Sequence, residues 1–188
     1  MIDPMGMDGR PSAGNIWYSY PNYQTFGAGD VYALVGGELG DLYAEGKSDY
    51  QESCALRLSY ALNNAGGQGD YAIPSSIPGL SLHSLTTQDG PLNDGTANVS
   101  APVSYITSAA DMSAYLQHAW GPADQTISIN QDPQSLQNHF DKLQATLQDG
   151  QIAIVATDSH IGVITQTSKD EYVAYPSSDA KVWILNAK

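Results

Sequence analysis

The sequence predicts an α+β domain, with helices as far as residue 148 and an antiparallel sheet at its end. Three observations predict it. Apolar residues recur at helical spacing over 50–65, 108–119 and 133–148, and short apolar runs bounded by turn residues fill 152–186. The two patterns follow one another without the alternation that a βαβ sheet requires.

Residues 1–30 hold Gly, Pro, Asn and the aromatics Trp17, Tyr18, Tyr20 and Tyr23, which reads as irregular chain pinned to a core by its rings. Over 50–65, Cys54, Leu58, Ala61, Leu62 and Ala65 form one helical stripe. Asp49 and Glu52 resemble a capping box, and Gly66-Gly67 makes a stop. Residues 66–103 show no period and are rich in Gly, Ser, Asn and Pro, so a long loop is expected there, bordering a cleft. The helix over 108–119 carries Met112, Tyr115, Leu116 and Ala119 and ends at Gly121-Pro122. In 133–148, Pro133 sits at the first turn after Asp132, Leu136, Phe140, Leu143 and Leu147 form the stripe, and Gly150 closes it. Strands are expected at 152–156, 160–166, 171–175 and 181–185, joined by tight connections. No internal repeat or linker divides the chain, so residues 1–188 read as a single domain.

Composition excludes several functions. The chain has 188 residues, 41% of them hydrophobic, which suits one domain with a sizeable core. Twenty Asp and Glu stand against seven Lys and Arg, for a net charge of −13. Clustered cations are what nucleic acid and anionic lipid surfaces require, so neither is an expected partner. No run is long enough to span a membrane. Pro4, Gly6 and Asp8 occupy the region where a secretory signal would be apolar, so manufacture in the cytoplasm without a signal peptide is expected.

A single cysteine, Cys54, leaves no intramolecular disulfide and no Cys-rich zinc site. A lone Cys is commonly a small buried hydrophobe. Its place in the first turn of a helix changes that reading. The positive end of the helix dipole favours a thiolate, and first-turn amides can bind an oxyanion. Of the four histidines, His83 falls in the long loop, while His118 and His139 sit mid-helix. His160 opens a strand after Thr157-Asp158-Ser159, where a rigid strand start can present an imidazole to a helix terminus. Asp170 or Glu171, across the next turn, is the candidate to orient it. No His pair has the spacing of a helical zinc motif, and no metal or other cofactor is expected.

The segment Ser53-Cys54-Ala55-Leu56-Arg57-Leu58-Ser59-Tyr60-Ala61-Leu62-Asn63, then Ala65-Gly66, resembles the nucleophile helix of the fourth family of type VI secretion amidase effectors. These are peptidoglycan amidases of the NlpC-like, papain-related fold. The resemblance covers most of the chain in order: Arg10-Pro11-Ser12, Trp17, Tyr20-Pro21 and Gly36-Gly37 upstream; Tyr105-Ile106, Tyr115-Leu116 and Trp120-Gly121-Pro122-Ala123-Asp124 downstream; then His160-Ile161 and Val182-Trp183. Ser159 stands where the family usually has Gly before its histidine, and the additional C-terminal cysteines of some relatives are absent.

The resemblance implies a papain-like NlpC-type fold and a Cys54–His160 mechanism with Asp170 or Glu171 as third member. It implies cleavage of the γ-D-glutamyl–meso-diaminopimelate bond in peptidoglycan stem peptides. It further implies delivery by a type VI secretion apparatus into the periplasm of rival bacteria, and neutralisation by a cognate immunity protein. Substrate-binding residues are not indicated. Two other readings remain: a papain-like hydrolase or acyltransferase acting on other amides, and a non-enzymatic binding module with Cys54 merely buried. Thiol alkylation and sacculus digestion separate the three.

Overall fold

A computed structural model of the chain describes residues 9–66, 70–78, 84–87, 103–128, 133–169 and 179–187, with backbone alone for 84–87, 103 and 133–136. Three short helices come first: α1 (Ala13–Ser19), α2 (Ala28–Val35) and α3 (Gly37–Ala44). Ser12 caps α1 by accepting the Asn15 N–H at 3.2 Å, and Tyr20-Pro21 ends it. The Asp30 carboxylate accepts the Gly27 N–H at the start of α2, 2.8 Å away. The break between α2 and α3 takes φ of 65° at Gly36 and 55° at Gly37, a left-handed conformation that side chains disfavour. The expectation of irregular chain through residue 30 is therefore corrected. Each of these helices is about two turns long, too short for periodicity to show in sequence.

A 3₁₀ turn (Ser48–Tyr50) precedes the central helix α4 (Cys54–Asn64). Its cap is Ser53, not the anticipated Asp49 and Glu52 pair. The Ser53 hydroxyl makes no capping bond because it accepts the Arg57 Nε–H at 3.0 Å. Nine of its eleven residues are buried, so α4 runs through the core rather than over it. Its buried polar side chains Arg57, Ser59 and Asn63 each satisfy backbone of a neighbouring segment. The Ser59 hydroxyl donates to the Ile106 carbonyl and accepts the Ile106 N–H, both at 2.9 Å. Asn63 donates to the Ser104 carbonyl at 2.9 Å and accepts the Ile73 N–H at 2.8 Å.

The expected long loop contains a strand. β1 (Ser84–Thr87) pairs antiparallel with β2 (Val103–Ile106), Leu85 opposite Tyr105. Residues 79–83 and 88–102 lie outside the described part. Next come α5 (Ala109–Trp120), capped by Ser108, then β3 (Gln125–Ile127) and α6 (Pro133–Thr146). The chain ends in β4 (Ile152–Ala156), β5 (Ile161–Thr165) and β6 (Ala180–Leu185). They form an antiparallel sheet in the order β3-β6-β4-β5, with Ile154 of β4 opposite both Val163 and Trp183. The strand expected over 171–175 lies outside the described residues, and β3 was not anticipated.

Every residue of β4 is buried, because both faces of the sheet are covered. Side chains alternate across a strand, so Ile152, Ile154 and Ala156 enter one core and Ala153 and Val155 another. The first core also takes Cys54, Leu58 and Leu62 of α4 and Met112, Tyr115 and Leu116 of α5. The second takes Phe140, Leu143 and Leu147 of α6. A third joins Val31, Tyr32, Val35 and Leu39 to Leu56 and Tyr105. Among the described residues no helix is long and apolar enough to cross a membrane.

Candidate active site

Cys54 is the first residue of α4 and is 5% exposed. The backbone N–H groups of Ile161, Ala55 and Cys54 itself lie near its sulfur and favour the thiolate. β5 supplies the first of these because it borders the sheet. Thr157, the residue after β4, meets the inward carbonyl of His160: its N–H donates there at 2.9 Å. The next N–H along an antiparallel strand points the other way, out toward α4.

His160 is thereby brought to the start of α4, one residue before the amide that meets the sulfur. It is 9% exposed. A tight turn fixes its backbone: the Thr157 Oγ1 accepts the N–H groups of Ser159, at 3.3 Å, and of His160, at 3.0 Å. The structure therefore groups Cys54 with His160. His118, exposed near the end of α5, and His139, on the helix covering the opposite face of the sheet, stand apart from them. His83, Asp170 and Glu171 lie outside the described residues.

Burial dominates the electrostatics. It pushes the Cys54 thiol above its ordinary value, against the pull of the three amides and with a smaller push from Glu52. The expectation that the helix start leaves a low-pKa thiol is corrected: desolvation outweighs the dipole. Burial, followed by the charge of Arg57, lowers His160 to about 4. Both shifts disfavour the charged forms, so burial favours a neutral thiol and a neutral imidazole.

Sequence reasoning missed two neighbours. Arg57, three residues beyond Cys54, is buried, and its guanidinium carbon sits 3.7 Å from the centroid of the Tyr23 ring. The same ring lies 6.2 Å from the His160 imidazole, tilted by 31°. The signal for Arg57 was a lone charge on an otherwise apolar helix stripe. On the other side, the Tyr32 hydroxyl donates to the Glu52 carbonyl at 2.8 Å, just ahead of α4. Burial, then the proximity of Cys54, raises that phenol well above its usual range.

No protein-family model matches the sequence, and no curated protein matches it. Solved structures do. The effector Tae4 of Salmonella typhimurium, in complex with the immunity protein Tai4 of Enterobacter cloacae, superposes with a TM-score of 0.60 at 21% identity, over 94% of this chain and 99% of that one. The Tae4 of Enterobacter cloacae, in its type VI effector–immunity complex with Tai4, does so with a TM-score of 0.60 at 20% identity, over 94% and 99%. The chain has the Tae4 fold. Its papain-like NlpC-type α+β architecture agrees with the sequence expectation. The likeness to Tae4 also falls on the type VI effectors that the Cys54 helix resembles in sequence.

Proposed function

We propose that this chain is a cysteine amidase that cuts peptidoglycan stem peptides and acts as an antibacterial effector of type VI secretion. The observation that carries the reading is the meeting of Cys54, at the start of α4, with the start of β5, which His160 immediately precedes. Its fold is that of the Tae4 effectors, and three of those structures hold the effector with an immunity protein.

In the proposed reaction the Cys54 thiol passes its proton to His160 as the sulfur attacks the amide carbonyl. Coupled transfer suits a pair that is neutral at rest, since neither ion must be formed first in a buried site. The developing oxyanion lies near the amides that already face the sulfur, among them the Cys54 N–H. The His160 imidazolium then protonates the departing amine, leaving a thioester and a free amino terminus. Water, deprotonated by His160, resolves the thioester to a carboxylate and restores the thiol. Asp170 or Glu171 is proposed to orient the imidazole, and no cofactor takes part. The bond proposed is that between γ-D-glutamate and meso-diaminopimelate, reached in the periplasm of a target cell. A cognate immunity protein is the proposed inhibitor.

Digestion of purified Gram-negative sacculi, with the fragments identified by mass spectrometry, tests the reading. New amino termini on diaminopimelate are expected, and alkylation of Cys54 should abolish them. Intact sacculi after incubation with the folded protein would overturn it. A different cut amide would keep the mechanism and replace the substrate.

A further inference from the structure

Arg57 is the one charged side chain of α4, and it is 1% exposed. Among the described residues it pairs with no carboxylate. An uncompensated guanidinium is costly to bury, so its donors must be met. They are met by one hydroxyl and two carbonyls. Nε–H donates to the Ser53 hydroxyl, one amino group to the Pro21 carbonyl, and the other to the Phe26 carbonyl at 2.8 Å. The two carbonyls bracket Tyr23, whose ring lies against the guanidinium on one side and near the imidazole of His160 on another. Cation–π contact of this kind strengthens when water is excluded.

A helix needs no buried charge at this position for its own stability. An apolar residue of similar volume would avoid the desolvation cost. The fork of the guanidinium instead fixes residues 21–26 to the first turn of α4, and with them the ring beside His160. Among the described residues, the groups shown to bear on the imidazole are Arg57 of α4 and the ring of Tyr23, and Asp158 lies two residues before it in its own turn. Glu52 bears on Cys54.

We infer that Arg57 is a positioning residue for His160, acting through the ring of Tyr23. Through that ring it fixes the imidazole at the entry to β5. The inference rests on the amidase reading for its kinetic consequence but not for its geometry.

Four substitutions test it: Arg57→Met, Arg57→Lys, Tyr23→Leu and Tyr23→Phe. Arg57→Met and Tyr23→Leu should each lower kcat on a stem peptide by about tenfold or more with KM within about threefold. Tyr23→Phe, which keeps the ring, should stay within about threefold of the parent, and Arg57→Lys, which keeps charge without the fork, should fall between. The second readout is the His160 imidazole titration, followed by NMR in the Cys54→Ala protein. Its midpoint should rise in Arg57→Met, because a nearby cation has been removed. Tyr23 is half-buried on a connecting segment, so Tyr23→Leu keeps the test available if Arg57→Met does not fold. A folded Tyr23→Leu protein with parental kcat, a loss confined to KM, or an unmoved His160 midpoint in folded Arg57→Met would each overturn the inference. Failure of the amidase reading shows differently: the parent protein itself would lack turnover, while the titration would still report on Arg57 and His160.

Discussion

The backbone N–H of Ile161 lies near the sulfur of Cys54, so the edge of the sheet meets the first residue of the central helix. Two segments more than a hundred residues apart in sequence thus meet at one atom. That contact favours thiolate, while burial opposes it, and burial is the larger effect.

Cys54→Ala is expected to abolish amide cleavage, a loss of three orders of magnitude or more by about 4 kcal/mol of lost barrier lowering. The fold should survive, since only a small sulfur is removed from the helix start. Substantial digestion by the folded variant would remove Cys54 from the mechanism. In the parent, iodoacetamide should react slowly at neutral pH and faster as pH rises above the usual thiol range, because the raised pKa keeps thiolate scarce. A rate already flat from pH 5 upward would contradict that ordering.

His160→Ala should cost several orders of magnitude in kcat, whereas His118→Ala and His139→Ala should leave most activity. The comparison is read from peptide hydrolysis under identical conditions. A dead His139→Ala enzyme would place the chemistry on the wrong face of the sheet.

The same imidazole gives a stability prediction. Its folded value is about 4 and its ordinary value 6.5. Between those two pH values the unfolded chain binds a proton that the folded chain does not, so stability falls as pH falls through this window. The contribution is full above pH 6.5 and is lost toward pH 4, by up to about 3 kcal/mol. Urea unfolding at pH 7 and pH 4.5 measures it against His160→Gln, which should lose less stability over the same interval. Equal losses would mean that His160 titrates normally when folded.

Ser59→Ala should destabilise the protein by about 1–3 kcal/mol, since it leaves buried donor and acceptor groups of Ile106 without the hydroxyl between them. The urea midpoint should drop with the slope unchanged. An unaltered midpoint would show that α4 and β2 are held by apolar packing alone.

Arg10 donates to the Asp124 carboxylate and to the Ile184 carbonyl, the latter at 3.3 Å. The Ile184 N–H also donates to Asp124, at 2.7 Å. Although partial burial pushes the acid up, these bonds hold it below the usual carboxylate range. Arg10→Ala should therefore cost about 1 kcal/mol, discounted for the exposure of the pair. Tm measured at neutral pH reads the loss, and it should shrink in acid as Asp124 is protonated. A loss independent of pH would assign it to packing of the arginine stem.

The sequence made α4 legible because Cys54, Leu58, Ala61, Leu62 and Ala65 keep one phase for three turns. β4 and β6 were legible as apolar runs between turn residues. α1 to α3 were not, since two-turn helices rich in Gly and Tyr give no period. Nor were β1 and β3, whose pairing depends on partners far along the chain. Cys54 and His160 could be singled out by their places at element starts. Arg57 and Tyr23 could not be joined in advance, because the link runs through the carbonyls of Pro21 and Phe26, and a backbone acceptor carries no residue signature. The proposed orienting acid, Asp170 or Glu171, lies outside the described residues.

The three pieces around the sulfur come from residues 21–26, 54–57 and 160–161, so no short contiguous fragment contains them all. The reactive arrangement is a property of the completed topology rather than of any locally folding unit. An extended or partly threaded chain would be chemically inert, and it would gain its reactivity only after the last strands had joined α4. The proposed hydrolytic activity would then count native molecules directly, with the same denaturant midpoint as tertiary fluorescence.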